Sequence, residues 1–282
     1  MAKTGNKRTV GYYLREALLF YLMLVTGMYL VQRFILFHPS GGIHRDPSAL
    51  GWKFEKVTVD VAGGQTVGWY IPLKNARGTL LFSHGNAGNI ADWMGMVPVY
   101  RHLGFSVLLY DYGGYGMSTG NISEARCYAD IRAMWKWLTE TKGIPPARIL
   151  IYGQSLGGGV AADLATEVHP GAVVLESTFT SIPDAAADRL PFLPARWLCA
   201  YKFNSAEKIR DIHAPIMVIH SPKDTLVPFA HGKKLYELAN EPKTFIEIRG
   251  GHNDGFAKSK DLYLAAWKEF IDPLFPVNAP RP

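Results

Sequence analysis

The sequence predicts an α/β fold with a mostly parallel central sheet and helices on both faces. Short apolar runs of strand length alternate with helical patterns along most of the chain, which is typical of a doubly wound sheet. One apolar run, Ile149–Tyr152, leads directly into a Gly-x-Ser-x-Gly string at 153–157 and then into a run of small residues. The 282 residues, of which 48% are hydrophobic, are enough to bury the large core that such a fold requires.

The chain opens with a basic tail at 1–16 and an apolar segment at 17–37. Residues from Ala17 to Val31 carry no charge, and the apolar character resumes after Arg33, so the segment reaches the roughly 20 residues that a bilayer-spanning helix needs. No small-x-small cleavage site follows it, which favours a retained membrane anchor over a signal peptide. A helix packed on the domain is the alternative. Because the tail carries most of the nearby basic residues, we expect a cytoplasmic N-terminus and a catalytic domain on the periplasmic, lumenal or extracellular side.

Residues 38–282 are predicted to form one catalytic domain. Two alternating runs joined by Gly63-Gly64 indicate a hairpin, and buried strands alternate with helices after it. The predicted strands are 56–61, 66–71, 78–83, 105–110, 147–152, 171–176, 214–220 and 243–249, and the predicted helices are 90–102, 122–140, one directly after Ser155, 228–239 and 259–271.

Residues 177–210 break this alternation. They lie between two strands where a short connection would suffice, and they are rich in apolar and aromatic side chains. As an insertion at the carboxyl end of a strand they would form a small lid over the site. Packing of ordinary helices against the sheet is the alternative.

Composition argues against several classes of function. Half of the formal net charge of +6 comes from the tail, and the rest of the chain has no Lys/Arg run, so nucleic-acid binding is not expected. The two cysteines, Cys127 and Cys199, have no metal or redox spacing and are expected to be buried free thiols, with a disulfide between them as the alternative. No metal and no cofactor are predicted.

Ser155 is the predicted nucleophile. A serine held between a strand and a helix needs glycine on either side, because the turn leaves no room for side chains. Its hydroxyl is a poor nucleophile near neutral pH, so it needs a histidine base within hydrogen-bond reach and a carboxylate that orients the base.

His252 is the predicted base. It stands in a glycine turn directly after the last predicted strand, which brings it over the same sheet edge as Ser155. His231 also follows the serine, but it falls within a helical pattern and is expected to be a solvated surface residue.

Asp224 is the predicted acid of this triad, because it lies in the loop after strand 214–220. Asp111 is the competitor, but it precedes the serine and begins a tight glycine loop in which a structural aspartate is expected. Asp254 is too near His252 in sequence to support the ring.

The backbone N–H groups of Asn86 and Leu156 are the predicted oxyanion-hole donors. Leu156 begins the helix after the nucleophile, and Asn86 lies in the glycine-containing loop after strand 78–83. In that loop His84 is expected to be structural and Asn89 to cap the following helix.

Six short motifs along the chain are Phe-His-Pro at 37–39, Ser-His-Gly-Asn-Ala-Gly-Asn at 83–89, Asp-Tyr-Gly-Gly-Tyr-Gly-Met-Ser at 111–118, Gly-Gln-Ser-Leu-Gly-Gly at 153–158, Pro-Lys-Asp at 222–224 and Gly-Gly-His-Asn-Asp at 250–254. With these motifs the chain resembles the α/β hydrolases, and specifically the membrane-anchored abhydrolase-domain serine hydrolases related to protein depalmitoylases, over about residues 34–271. The resemblance implies Ser155, Asp224 and His252 as the triad, with no cofactor. The N-terminal residues here contain no cysteine, unlike those of the palmitoylated depalmitoylases.

The predicted activity is hydrolysis of carboxylic esters or thioesters, as in carboxylesterases and thioesterases. The substrate is expected to be a small acyl ester or thioester, a lipid or an acylated protein, with short to medium acyl chains preferred. A serine peptidase of the same fold and an inactive interaction protein are the alternatives. The predicted acyl pocket consists of Tyr115, Leu193, Trp197 and Leu226.

Overall fold

The computed structural model describes residues 5–277 and contains the predicted sheet. The eight strands of the sheet are β1 (Glu55–Val61), β2 (Gly64–Ile71), β3 (Gly78–Ser83), β4 (Phe105–Tyr110), β5 (Ile149–Gln154), β6 (Ala172–Glu176), β7 (Ile216–His220) and β8 (Lys243–Glu247). Their order across the sheet is β8-β7-β6-β5-β3-β4-β2-β1. Only β2 runs antiparallel to its neighbours, and the other pairs are parallel. The predicted fold class is thereby confirmed.

The helices flank this sheet and connect its strands. The helix predicted at 90–102 is divided by a 3-10 turn at Met94–Met96, because Pro98 lies in the first turn of the second piece and has no N–H to continue a helix. The helices are α1 (Gly5–Leu36), α2 (Ile90–Trp93), α3 (Val97–His102), α4 (Glu124–Lys136), α5 (Leu156–Ala165), α6 (Ile182–Arg189), α7 (Ala195–Leu198), α8 (Ser205–Lys208), α9 (Phe229–Leu238) and α10 (Gly255–Ile271).

The core lies on both faces of the sheet. Along β3, Leu81 belongs to the cluster on one face, and Leu80 and Phe82 belong to the cluster on the other. Successive side chains of a strand point to opposite faces, so a strand that is covered on both sides is apolar at every position. This is why the central strands appear in the sequence as continuous apolar runs.

The parallel strands bring four loops to one edge of the sheet. Asn86 follows β3, Ser155 follows β5, Asp224 follows β7 and His252 follows β8. Carboxyl ends of parallel strands meet at this edge, where α/β proteins bind their ligands.

Helix α1 begins at Gly5, within the segment predicted as a tail, and residues 1–4 lie outside the described part of the chain. Its portion Val10–Leu36 has a mean hydropathy of 1.6 and is long and apolar enough to cross a membrane, a test that a signal sequence also passes. Val25, Met28, Gln32 and Leu36 form a half-buried stripe at helical spacing, and most other positions of α1 are exposed. The helix therefore contacts the domain along one narrow face.

Candidate active site

Ser155 occupies the strained turn that the sequence predicts. Its φ of 54° and ψ of −118° place it in a backbone region that residues with a side chain rarely adopt. A Cβ at Gly153 would collide with the carbonyl oxygen of Gly157, and one at Gly157 would collide with that of Ser83. The two glycines thus allow β5 to turn directly into α5 with the serine between them.

Ser155, His252 and Asp224 form one hydrogen-bonded chain. His252 Nε2 lies 3.0 Å from Ser155 Oγ, and His252 Nδ1 lies 2.7 Å from Asp224 Oδ2. These distances are within the range at which a base takes a proton from a hydroxyl and a carboxylate orients the base.

Asp224 is held as a carboxylate by its surroundings. Its Oδ1 accepts hydrogen bonds from the N–H groups of Leu226, at 2.8 Å, and Val227, at 2.9 Å. Burial would raise the pKa of Asp224, but the imidazoles of His220 and His252 and the Val227 N–H outweigh it and hold that pKa well below its usual range. An ionised Asp224 stabilises the imidazolium that forms when His252 accepts a proton.

The other candidate residues have structural roles. Asp111 Oδ1 accepts the Ile90 N–H at 2.9 Å, which fixes the start of α2. Asp254 Oδ1 accepts the Gly251 N–H at 2.5 Å and supports the turn that carries His252.

His231 and His84, which the sequence analysis set aside as bases, are both buried. The expectation that His231 is solvated is wrong: its Nδ1 accepts the Thr180 N–H at 3.2 Å, and its Nε2 lies 3.0 Å from Asp188 Oδ2 on α6. His231 therefore joins α9 to α6. The residue pattern of α9 alone does not reveal this contact. His84 is buried against the rings of Tyr112 and Tyr115, as expected of a structural histidine.

Two backbone N–H groups beside Ser155 have no acceptor within residues 5–277: those of Asn86 and Leu156. Leu156 is the first residue of α5, where N–H groups have no partner within the helix. A Cβ at Gly85 would lie 3.6 Å from the Cβ of Ser155, so the loop that carries Asn86 passes directly beside the nucleophile. The arrangement offers two unpaired donors to an oxyanion.

Asn86 is held in place through its carbonyl and its side chain. Its carbonyl accepts the Tyr115 hydroxyl at 2.7 Å and the His38 N–H at 2.9 Å, and its side-chain amide donates to the Leu36 carbonyl at 3.0 Å. We call the loop that carries Asn86, between β3 and α2, the oxyanion loop. It is tied directly to the end of α1.

An apolar cavity of about 420 Å³ opens beside Ser155. Of the four predicted pocket residues, Leu193 and Leu226 line it. Tyr115 and Trp197 do not. Tyr115 is buried behind the oxyanion loop, where its hydroxyl is satisfied, and Trp197 is 90% exposed on the outer side of α7.

Sequence reasoning missed the remaining wall of this cavity, which comes from α1. The residues of α1 that face the domain recur at helical spacing, but such a stripe is hard to recognise in the sequence of a segment that is apolar on every side. The contributing residues are Met28, Tyr29, Gln32, Ile35 and Leu36.

The segment 182–198 covers the cavity from the opposite side. Its helices α6 and α7 contribute Ile182, Ala186 and Leu198 to the lining, and Cys199 beyond them is a free thiol that is half-buried rather than buried. We call α6, α7 and the residues between them the lid.

A second cleft, with both polar and apolar side chains in its lining, lies on the His252 side of the triad. Gln154, Glu176 and Asn253 line it together with His252. Burial raises the pKa of Glu176, although hydroxyl hydrogen bonds from Tyr263, at 2.7 Å, and Tyr152 oppose this effect. Among residues 5–277, no group of three or more His, Cys, Asp or Glu side chains is arranged to hold a metal ion.

Comparison with known proteins places these observations in a family. A family model described as the alpha/beta hydrolase fold matches residues 78–198. An uncharacterized protein of Mycobacterium tuberculosis is 36% identical over 244 residues, which are 85% of this chain and 87% of that protein. The human alpha/beta hydrolase domain-containing protein 17B is 36% identical over 200 residues, which are 70% of this chain and 67% of that protein. Among solved structures, an esterase of Pyrococcus furiosus has a TM-score of 0.71 at 22% identity and covers 85% of this chain and 98% of its own, a likeness of fold.

Proposed function

The chain belongs to the α/β-hydrolase family, and from this premise we propose that it is a serine hydrolase that cleaves carboxylic ester or thioester bonds through an acyl-enzyme on Ser155. The observation that carries the proposal is the hydrogen-bonded chain Ser155–His252–Asp224 beside two unpaired backbone N–H groups. A nucleophile, a base, an orienting acid and oxyanion donors in one place are the parts that acyl transfer requires.

In the proposed reaction, Ser155 Oγ attacks the carbonyl carbon and passes its proton to His252 Nε2. The carbonyl oxygen becomes an oxyanion that accepts hydrogen bonds from Asn86 and Leu156. Collapse of this intermediate breaks the bond to the leaving group, which takes the proton from His252 Nε2. A water molecule then attacks the acyl-enzyme and gives one proton to His252 Nε2. The bond between the acyl carbon and Ser155 Oγ breaks, Oγ takes that proton back from His252, and the acid departs.

The two cavities support an assignment of substrate parts. The apolar cavity beside Ser155 suits an acyl chain. The cleft that His252 lines suits the alcohol or thiol, because the leaving group must receive a proton from that imidazole. Acyl groups with a charged tail are expected to be poor substrates.

Substitution of Ser155 or His252 by alanine tests the proposal. Each change should lower kcat for a p-nitrophenyl ester by about 10³-fold or more, since triad members act as a unit, and Ser155→Ala should abolish labelling by a fluorophosphonate probe. The exposed His169 provides a matched control, because His169→Ala should leave both readouts unchanged. Retention of near-full activity in His252→Ala contradicts the assignment of the base, and faster cleavage of an aminoacyl amide than of a matched butyrate or octanoate ester favours the peptidase alternative.

We further propose that α1 anchors the enzyme in a membrane, with a cytoplasmic N-terminus and the catalytic domain on the opposite side. Lys3, Lys7, Arg8 and Arg15 precede the apolar segment, and Arg33 follows it, a bias that retains the preceding end in the cytoplasm. In intact cells or spheroplasts, a C-terminal tag should be accessible to added protease from outside the cytoplasmic membrane. A tag that stays protected until that membrane is opened would contradict the proposed orientation.

A further inference from the structure

Gln154 and Glu176 lie side by side at the carboxyl ends of two neighbouring strands. They pair in register at the last positions of β5 and β6. Their side chains converge on the same face of the sheet, since the Tyr152 hydroxyl lies 3.2 Å from Gln154 Oε1 and 3.0 Å from Glu176 Oε2. Adjacent strands are about 4.8 Å apart, so one small group is able to contact both side chains.

The backbone fixes this pair beside the triad. Gln154 directly precedes Ser155, and the Ser155 N–H donates to the Glu176 carbonyl at 2.9 Å. Both side chains line the cleft that His252 also lines. A group that binds between them therefore belongs to the part of the substrate that receives a proton from His252.

Each of the two side chains presents one unpaired polar atom to the cleft. Gln154 is 8% exposed and Glu176 is 3% exposed. Within residues 5–277, Gln154 Nε2 and Glu176 Oε1 form no hydrogen bond, and neither atom is fully enclosed. The remaining oxygen of each side chain bonds to tyrosine hydroxyls behind the cleft. The pair thus offers a ligand one donor and one acceptor.

The carboxyl group of Glu176 lowers the stability of the fold. Burial raises the pKa of Glu176, and the hydroxyls of Tyr263 and Tyr152 oppose this effect only in part. An ionised carboxylate at this position therefore destabilises the folded state. Polar groups that make a fold less stable are typical of binding and catalytic sites.

The donor and the acceptor together restrict the chemistry of the ligand. An ammonium group would meet the NH₂ group of Gln154, and a carboxylate or phosphate would meet the carboxylate of Glu176, so neither charge is matched by the pair. A trans peptide unit is planar and directs its N–H and C=O groups to opposite sides, so it cannot pair with two adjacent side chains. A hydroxyl group donates and accepts through a single oxygen, and it matches both.

The rest of the cleft suits a short carbon skeleton. The partly exposed rings of Trp93 and Phe256 line it, and its lining within the described part of the chain contains no Lys or Arg. The carboxylate of Asp92 is already engaged, since it accepts the Asn89 N–H at 2.9 Å. The buried polar side chains that the cleft offers to a leaving group are those of Gln154 and Glu176.

We propose that Gln154 and Glu176 bind a free hydroxyl group of the leaving group, so that the substrate is an ester of an alcohol that carries at least one further hydroxyl. The Gln154 amide donates to the oxygen of that hydroxyl, and the hydroxyl donates to the Glu176 carboxylate. The proposal rests on the proposed hydrolase function and specifies the leaving group. The chemical step is the one given above, in which the departing alcohol takes the proton from His252 Nε2.

Two pairs of matched substrates test this subsite. Hydrolysis of 2-hydroxyethyl butyrate is compared with that of propyl butyrate, in which a methyl group replaces the hydroxyl. In the second pair, 3-hydroxypropyl butyrate and butyl butyrate, the hydroxyl lies one methylene farther from the ester. The full chain should favour the hydroxylated ester of at least one pair by about tenfold or more in kcat/KM, because the apolar analogue leaves both side chains unpaired. Titration of the reactive serine with a fluorophosphonate normalises every rate.

Two nearly isosteric substitutions change the polarity of the subsite. In Glu176→Gln, the amide oxygen still accepts the tyrosine hydroxyls while the NH₂ group replaces the acceptor in the cleft. Gln154→Glu replaces the donor by an acceptor. Each single change should lower the preference for the hydroxylated ester by about tenfold. The double variant again has one donor and one acceptor, and its preference should return to within about threefold of wild type. Glu269→Gln, on the exposed face at the far end of α10, is the matched control and should leave the preference unchanged.

Four outcomes would overturn the inference. These are equal rates within both substrate pairs, a wild-type preference in both single variants, a double variant with no more preference than the single variants, and a higher kcat/KM for butyrylcholine than for either hydroxylated ester. The last result would assign the cleft to a cationic leaving group. Failure of the proposed function looks different, because wild-type protein would then hydrolyse none of these esters above the rate of Ser155→Ala.

Discussion

Asp224→Asn is expected to reverse the orientation of the His252 hydrogen bonds while leaving the fold intact. Oδ1 of Asp224 accepts two backbone N–H groups, from Leu226 and Val227. An asparagine must therefore place its oxygen at that position and its NH₂ group where Oδ2 now faces His252 Nδ1 at 2.7 Å. That donor forces Nδ1 to be the acceptor, so Nε2 carries the proton and cannot take one from Ser155.

The magnitude follows from the role of the tautomer. A triad with the wrong histidine tautomer loses about 10⁴-fold in kcat, which corresponds to about 5.5 kcal/mol at 1.36 kcal/mol per decade. The assay is kcat for p-nitrophenyl butyrate hydrolysis by purified full-length enzyme, with a thermal melt to establish that the variant is folded.

Asp254→Asn is the matched control for this prediction. Asp254 is the exposed carboxylate nearest in sequence to His252, and its oxygen accepts the Gly251 N–H. An asparagine keeps that acceptor, so kcat should stay within about tenfold of wild type. Activity of Asp224→Asn within tenfold of wild type, or an equal loss in Asp254→Asn, would refute the assignment of the acid.

Three further predictions concern the surroundings of the triad. Tyr115→Phe removes the hydroxyl that holds the Asn86 carbonyl and should lower kcat by about tenfold with little change in KM. This loss is smaller than the 10²- to 10³-fold that follows removal of an oxyanion donor. An unchanged kcat would contradict the positioning role of Tyr115. Gly157→Ala should destabilise the fold by about 2 kcal/mol or more in a urea titration, because its Cβ collides with the Ser83 carbonyl, and wild-type stability would contradict the argument. Burial raises the pKa of Glu176 from its ordinary value of 4.5, so its contribution to stability is full below that value and is lost as the pH rises through the folded pKa. Glu176→Gln should match wild type in thermal stability below about pH 4 and exceed it above the folded pKa, whereas parallel stability profiles would contradict the raised pKa.

The sheet and the positions of the triad residues could be predicted because buried parallel strands have a strong local signal. Each predicted strand is present within two residues of its expected ends. Once the strands are known, the loops at their carboxyl ends must meet at one edge. Ser155, Asp224 and His252 therefore meet although long stretches of chain separate them. The same reasoning accounts for the oxyanion loop that contains Asn86.

The lining of the apolar cavity could not be predicted in the same way, because its residues share no local pattern. An aromatic residue in a glycine turn, such as Tyr115, can face the core or the pocket, and only the position of the Asn86 carbonyl decides between them. Trp197 lies in α7, a helix of four residues, and which side of so short a helix faces the cavity depends on how the whole lid packs. The wall that α1 contributes was missed for the same reason, since it comes from a segment that is distant in sequence. The preference for short to medium acyl chains stays a prediction.

Gln32 shows how a single polar residue of α1 can be interpreted differently from the sequence and from the structure. In the sequence it interrupts an apolar segment, and there it indicates no more than an approach to the end of a membrane span. In the structure its amide donates to the Leu198 carbonyl at the end of the lid and accepts the Ala200 N–H just beyond it. Because an unpaired amide in hydrocarbon costs several kcal/mol, a glutamine is tolerated in such a segment where the helix has a polar partner. The interruption therefore marks where α1 docks on the lid, beside the apolar cavity that both segments line.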